Sequence, residues 1–348
     1  MERKLKGVTQ PRMFDLNSLL KRIRIFANSR VGFVLKVIIA SGLITYLLTS
    51  GKLRLETLVE ASVSQRLILV YAFTFGALLA PAARWYFLLA TQSIHLRFID
   101  VIRITWIGYA ASLFLPGAAG GDITRILMVT SKPECGAFRV ASTIVMDRML
   151  GLLSLFMLGS VSMLLMGHDS AVPWSFFGLM LLASLAATAI FVLLAFRRSR
   201  NLLLKVLPGR ISDPLRLCIE GFLRAPGTMM LCFLLSGFSS FLTVGCFWAA
   251  SGVTGNQVDL LVAWVTVPWI ILANSIPLTP NGIGIAEFAS SEIFRHFGST
   301  SGAEIMILVR ASHILLSLPG VLGILWPAKS AEELEDGGAP CSPVSQPQ

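Results

Sequence analysis

Two apolar stretches, 100–131 and 258–298, are each interrupted near the middle by proline and glycine. This interruption constrains the fold more than any other feature. The first break reads Leu115-Pro116-Gly117-Ala118-Ala119-Gly120-Gly121-Asp122. The second reads Ile276-Pro277-Leu278-Thr279-Pro280-Asn281-Gly282-Ile283-Gly284-Ile285-Ala286-Glu287. Proline removes a backbone donor and clashes with the preceding turn, and glycine admits backbone angles that other residues avoid. Each piece on either side is about 15 residues, short of the roughly 20 needed to cross a bilayer. Non-helical backbone at membrane depth must be shielded by protein or line a cavity. Each stretch therefore reads as a re-entrant hairpin of two half-helices, with one kinked, tilted span as the alternative.

A membrane setting follows from composition. Of 348 residues, 55% are hydrophobic and 14% charged, where soluble domains carry about 25% charged residues. Full spans are expected near 32–50, 66–89, 138–166, 173–196, 228–251 and 303–326. The fold class is thus an all-α polytopic membrane protein with about six full transmembrane helices and two re-entrant helical hairpins. The domains read as a basic cytoplasmic arm (1–31), a single transmembrane domain (32–327) and a disordered cytoplasmic tail (328–348). The long basic arm before Phe33 argues for an uncleaved first span rather than a signal peptide.

Charge placement orients the chain. Arg3, Lys4, Lys6, Arg12, Lys21, Arg22, Arg24 and Arg30 crowd the amino-terminal arm, and seven basic residues from Arg197 to Arg224 crowd one polar loop. Segments 167–173 and 252–263 hold no Lys or Arg. By the positive-inside rule both termini face the cytoplasm. The first hairpin then opens inward and the second outward, which is an inverted-repeat arrangement. The net charge of +10 fits attraction to anionic lipid heads, not nucleic acid.

Each break is followed by an acid and then, 26 or 23 positions on, by an arginine inside an apolar run: Asp122 with Arg148, and Glu287 with Arg310. Paired interruptions in corresponding halves of a membrane protein point to a transport site. Helix N-termini at mid-depth favour anions. Charges there are costly and usually pair or face a cavity. Two readings stand for these residues. In one, Arg148 pairs with Asp122 or Asp147, and Arg310 with Glu287, as static staples. In the other, each arginine is shared between a carboxylate and a substrate phosphate. Asp122 and Asn281 also suit helix capping, which explains Glu287 less well. Arg84, in Arg84-Trp85-Tyr86, reads as an interfacial anchor at the inner end of the second span, with a headgroup contact as the alternative. Arg125 and Arg139 read as flanking anchors, Arg125 also as a candidate contact. His313 reads as a packed helix residue, or as part of a proton relay. The breakers that would shape the site are Pro116, Gly117, Gly120, Gly121, Pro280, Asn281, Gly282 and Gly284.

Enzyme signals are poor. No hydrolase elbow, P-loop, His-rich metal set or CxxC pair occurs, and the five cysteines lack paired spacing. No cofactor and no metal is expected.

The residues Arg84-Trp85, Leu115-Pro116-Gly117 with Gly120-Gly121-Asp122 and Arg125, Asp147-Arg148 with Gly151, and Pro280-Asn281-Gly282-Ile283-Gly284 with Glu287 carry a family resemblance. Over roughly 30–327 the chain resembles the flippase-like membrane domain of lysylphosphatidylglycerol synthases, as a stand-alone member without the aminoacyl-transferase domain. The resemblance implies a bacterial inner-membrane protein that moves a lipid between leaflets. Candidate cargoes are an anionic phospholipid, a hopanoid or a polyisoprenoid-linked glycolipid. The expected substrate-binding residues are Asp122, Arg148, Glu287, Arg310, Arg84 and Arg125. The partners are the lipid substrate, the bilayer and a lipid- or glycan-synthesising enzyme. The alternatives are a membrane-embedded transferase and an accessory subunit of lipid or glycolipid biosynthesis.

Overall fold

The computed structural model describes residues 64–114, 120–130, 136–166, 174–196, 209–275 and 282–321, with Thr45, Thr49, Arg198, Asn201, Lys205 and Thr279 as single positions. The expected first span, the basic arm, the tail, and Pro116, Gly117, Pro280 and Asn281 lie outside these residues, apart from Thr45 and Thr49.

Every element of regular structure among the described residues is helical. In chain order they are α1 (Leu67–Thr91), α2 (Phe98–Phe114), α3 (Gly120–Val129), α4 (Ala137–Met166), α5 (Trp174–Ala195), α6 (Gly209–Arg224), α7 (Pro226–Val253), α8 (Leu260–Asn274), α9 (Ile285–His296) and α10 (Gly302–Ser317). Four helices, covering Leu67–Thr91, Ala137–Leu165, Pro226–Val253 and Gly302–Val321, are long and apolar enough to cross a membrane. They coincide with four of the expected spans. A fifth expected span, 173–196, is the helix α5.

Each interrupted stretch contains two described helices. The first becomes α2 and α3, the second α8 and α9. Gly121 lies against the Gly108 carbonyl so closely that a Cβ there would collide with it. These glycines are 13 positions apart in sequence, which a continuous helix would separate by about 20 Å. The first stretch therefore doubles back on itself. In the second, Gly282 and Gly284 adopt φ of 69° and 87°, angles open to glycine and costly for other residues.

The helices pack in a pattern that survives an exchange of halves. If α1, α2, α3 and α4 are swapped with α7, α8, α9 and α10, each packed pair among these eight helices maps onto itself or onto another packed pair. Thus α1 lies against α7 at the centre, α2 contacts α10 as α8 contacts α4, and α1 contacts α10 as α7 contacts α4. The central crossing is close because Gly245 faces the Phe73 ring and Gly76 faces Leu242. Small residues let helices approach where burial from water supplies no drive. The largest apolar cluster joins α7, α8, α9 and α10 around Phe247, Trp264, Ile270 and Phe294. Outside it, Ile68, Leu164, Leu165, Leu182, Leu234 and Phe238 are exposed, as lipid-facing side chains would be.

One expectation fails. The basic segment 197–227, read as a polar loop, contains the helix α6. Leu215, Cys218, Ile219 and Phe222 recur at helical spacing, and the last three are buried against the bundle. The abundance of charge masks this single apolar stripe in the sequence.

Candidate functional site

Asp122 and Glu287 hold the same position in their helices, the third residue of α3 and of α9. Each carboxylate meets the arginine of the following helix. Arg148 of α4 donates from Nε to Asp122 Oδ2 at 3.1 Å and from Nη2 to Oδ1 at 3.0 Å. This is a planar two-point match. Arg310 of α10 donates from Nε to Glu287 Oε1 at 2.5 Å. Its Nη2 lies 3.3 Å from Asn274 Oδ1 and 3.4 Å from the Gly282 carbonyl. Glu287 Oε2 accepts the Gly284 N–H at 2.7 Å. Capping is thus part of the Glu287 role, contrary to expectation, because a carboxylate at the third position can reach back to the N-cap amide.

Between these pairs stands a third. Arg84 of α1 donates from Nε to Asp147 Oδ1 at 2.6 Å and from Nη1 to Ser236 Oγ at 2.7 Å. Arg84 is buried two turns before the end of α1, so the interfacial-anchor reading is corrected. Compensation by an acid on α4 and a hydroxyl on α7 makes its burial tolerable, and sequence position alone cannot show such partners. Trp85 is buried too and donates to Thr143 Oγ1 at 3.0 Å. Asp147 and Arg148 are adjacent on α4, so they point about 100° apart, one toward α1 and the other toward α3. That settles the choice left open for Arg148: its partner is Asp122.

Arg125, one turn beyond Asp122, is also buried, not a flanking anchor. Its guanidinium carbon lies 5.3 Å from the Trp85 ring centroid and 5.1 Å from that of Tyr109. Such ring faces attract a cation. Arg139 donates from Nη2 to the Gln92 carbonyl at 2.6 Å.

A cavity of about 310 Å³ opens among these groups. Arg84, Arg125, Asp147, Arg148, Asn274 and Arg310 form its charged and polar wall, and Leu78, Phe247, Ile270 and Met306 part of its apolar wall. Volume and mixed lining fit a small-ligand site. His313 lines the cavity with its ring edge-on to Tyr109, centroids 5.7 Å apart. Gly120 and Gly121 are buried at the start of α3, and Gly282 and Gly284 at the turn before α9.

Sequence reading missed Tyr109, Asn274, Thr74 and Ser236. Tyr109 donates to the Leu78 carbonyl at 3.1 Å, close to Pro81 of α1. Thr74 Oγ1 lies 3.1 Å from Cys246 Sγ and 2.9 Å from Ser312 Oγ. Uncharged polar residues inside apolar helices carry little signal, since a hydroxyl can satisfy itself on its own helix. Among the described residues no group of three or more His, Cys, Asp or Glu could hold a metal. Chemically, the arrangement presents guanidinium forks to a space large enough for a phosphate or carboxylate.

Residues 33–323 match a family model described as the lysylphosphatidylglycerol synthase TM region. No curated protein and no solved structure matches the chain.

Proposed function

The chain belongs to the lysylphosphatidylglycerol synthase TM region family, and from that premise we propose that it translocates an anionic or isoprenoid-type lipid between leaflets. It is a multi-pass membrane protein related to lipid synthesis or translocation. In the proposed arrangement, α2–α3 and α8–α9 are re-entrant hairpins entering from opposite sides of a bacterial inner membrane, with both termini cytoplasmic. The exchange symmetry of the packing supports this, as does the shortness of α3 and α9, 10 and 12 residues.

The single observation that carries the reading is that the arginines of both acid–arginine pairs line one cavity. Pairs serving only as staples need no shared space. Here Arg148 and Arg310 both line it. A lipid headgroup would enter this slot while its chains remain in the bilayer. Asp122 and Glu287 would hold the arginines when the slot is empty and release them in part to the substrate.

The test is transport of labelled lipid across vesicles containing the full chain. Arg148→Ala and Arg310→Ala, inserted at normal levels, should each slow movement at least ten-fold. Full-rate transport by both variants would remove the site assignment.

A further inference from the structure

Counting ionised groups at the cavity reveals an imbalance. Four guanidinium groups stand in its wall, those of Arg84, Arg125, Arg148 and Arg310. Three carboxylates answer them: Asp147 holds Arg84, Asp122 holds Arg148 and Glu287 holds Arg310. Four less three leaves one formal positive charge.

Geometry places that excess on Arg125. Its closest ion pair is with Asp122 Oδ1 at 3.8 Å, and this oxygen already accepts from Arg148. Among the described residues the Arg125 Nε has no hydrogen-bond partner, although the side chain is 3% exposed. The Trp85 and Tyr109 rings flank the guanidinium, and the neutral Tyr109 hydroxyl, which bonds to Arg125, brings no charge to balance it. The side chain threads past Gly108, where a Cβ would come within 3.1 Å of both Cγ and Nε. A position held this closely, with its Nε unfilled and no carboxylate of its own, is prepared for an incoming anionic acceptor. An unpaired buried charge is otherwise strongly unfavourable.

We infer that the cavity selects a headgroup with one net negative charge, a phosphodiester, which Arg125 and Arg148 grip together. This rests on the lipid-translocation reading for the cavity's role and adds the charge of the cargo. A monoanionic phosphodiester head brings the formal sum to zero and offers an acceptor oxygen to the Arg125 Nε. A zwitterionic head carries its own ammonium and leaves the excess in place. A cationic aminoacylated head increases it. A phosphate monoester, near two negative charges at neutral pH, overshoots to a net negative cavity. The Arg148 side chain is 58% exposed, so the cavity is open on this side.

The experiment measures binding to the full chain in detergent by native mass spectrometry and thermal shift. The probes are dihexanoylphosphatidylglycerol, dihexanoylphosphatidylcholine and sodium phosphate. Phosphatidylglycerol should bind at least ten-fold more tightly than phosphatidylcholine. Arg125→Gln should weaken phosphatidylglycerol at least ten-fold and abolish its preference over phosphatidylcholine, with Arg125→Lys in between. Should Arg125→Gln fail to fold, the wild-type comparison of the two heads decides alone. Equal affinity for both lipids overturns the inference. Sodium phosphate displacing phosphatidylglycerol at matching concentration assigns the site to a free anion and overturns its lipid part. The translocation reading fails separately, when vesicles of phosphatidylglycerol and phosphatidylcholine containing the wild-type chain move neither lipid.

Discussion

Arg148 and Arg310 close equivalent ion pairs yet differ in access: the first side chain is 58% exposed and the second 11%. Each binds the third residue of the preceding helix, and the helices around them pack in exchangeable fashion. The difference therefore lies in local closure rather than in architecture. Asn274 and the Gly282 carbonyl cover Arg310, whereas Arg148 holds Asp122 in the open. A ligand can thus reach the first pair without disturbing the second.

That asymmetry separates stability from transport. Arg310→Ala strands Glu287, which is 2% exposed, and stranding a buried charge costs about 3–5 kcal/mol. Arg148→Ala breaks a pair with one exposed partner and should cost about 1 kcal/mol or less. Thermal unfolding in detergent should show a large loss for Arg310→Ala and a small one for Arg148→Ala. Glu287→Gln should recover much of the loss in an Arg310→Ala background, because it removes the stranded charge. Equal losses for the two arginine variants would contradict the difference in burial.

The bundle was largely legible in the chain because its signals are long and one-sided. Apolar runs locate α1, α4, α5, α7 and α10, and the Pro-Gly clusters lie between α2 and α3 and between α8 and α9 in the chain. The acid–arginine pairs were legible for the same reason: a charge within an apolar run demands a partner. What stayed hidden depends on contacts distant in sequence. The pairing of Arg84 with Asp147 joins positions 63 apart. The seat of Arg125 needs rings from α1 and α2. Helix α6 was obscured because seven basic residues outweigh its apolar stripe in any average.

Glycines at close approaches should tolerate alanine poorly, and those in open space should accept it. At Gly282 an added Cβ would collide with the Asn274 side chain and lie 2.8 Å from its carbonyl, at φ of 69°. Strain of that kind costs on the order of 1–3 kcal/mol before any collision. Gly237, inside α7, has nothing within 4 Å of an added Cβ. Gly237→Ala should raise stability by about 0.5–1 kcal/mol through helix propensity. Melting temperatures of the two variants should move in opposite directions.

Cys218 reports on the docking of α6. It is buried against Leu88 and Phe222, and burial raises its thiol above the ordinary range. A raised value leaves less thiolate at neutral pH, and thiolate is the reactive form. In a variant keeping Cys218 as its only cysteine, maleimide labelling at pH 7.5 should be at least ten-fold slower than for a free thiol. Denaturant should restore the ordinary rate. Fast labelling of the native protein would mean that α6 leaves the bundle in solution.

The Arg84–Asp147 pair distinguishes a structural staple from a working part. Both side chains are about 5% exposed, and Ser236 completes the arginine's coordination. Removing either partner alone, by Arg84→Met or Asp147→Leu, should cost about 3–5 kcal/mol, since the other charge is left unpaired. Replacing both should cost far less than the sum, because apolar residues of similar volume substitute well for a buried pair. A double-mutant cycle by SDS unfolding should give a coupling above about 1 kcal/mol. The double variant also changes the cavity wall without changing its charge sum, as one cation and one anion leave together. If charge balance governs the cargo, this variant should still prefer phosphatidylglycerol to phosphatidylcholine, whereas Arg125→Gln should not. Loss of headgroup preference in a well-folded Arg84→Met, Asp147→Leu protein would place recognition on Arg84 instead.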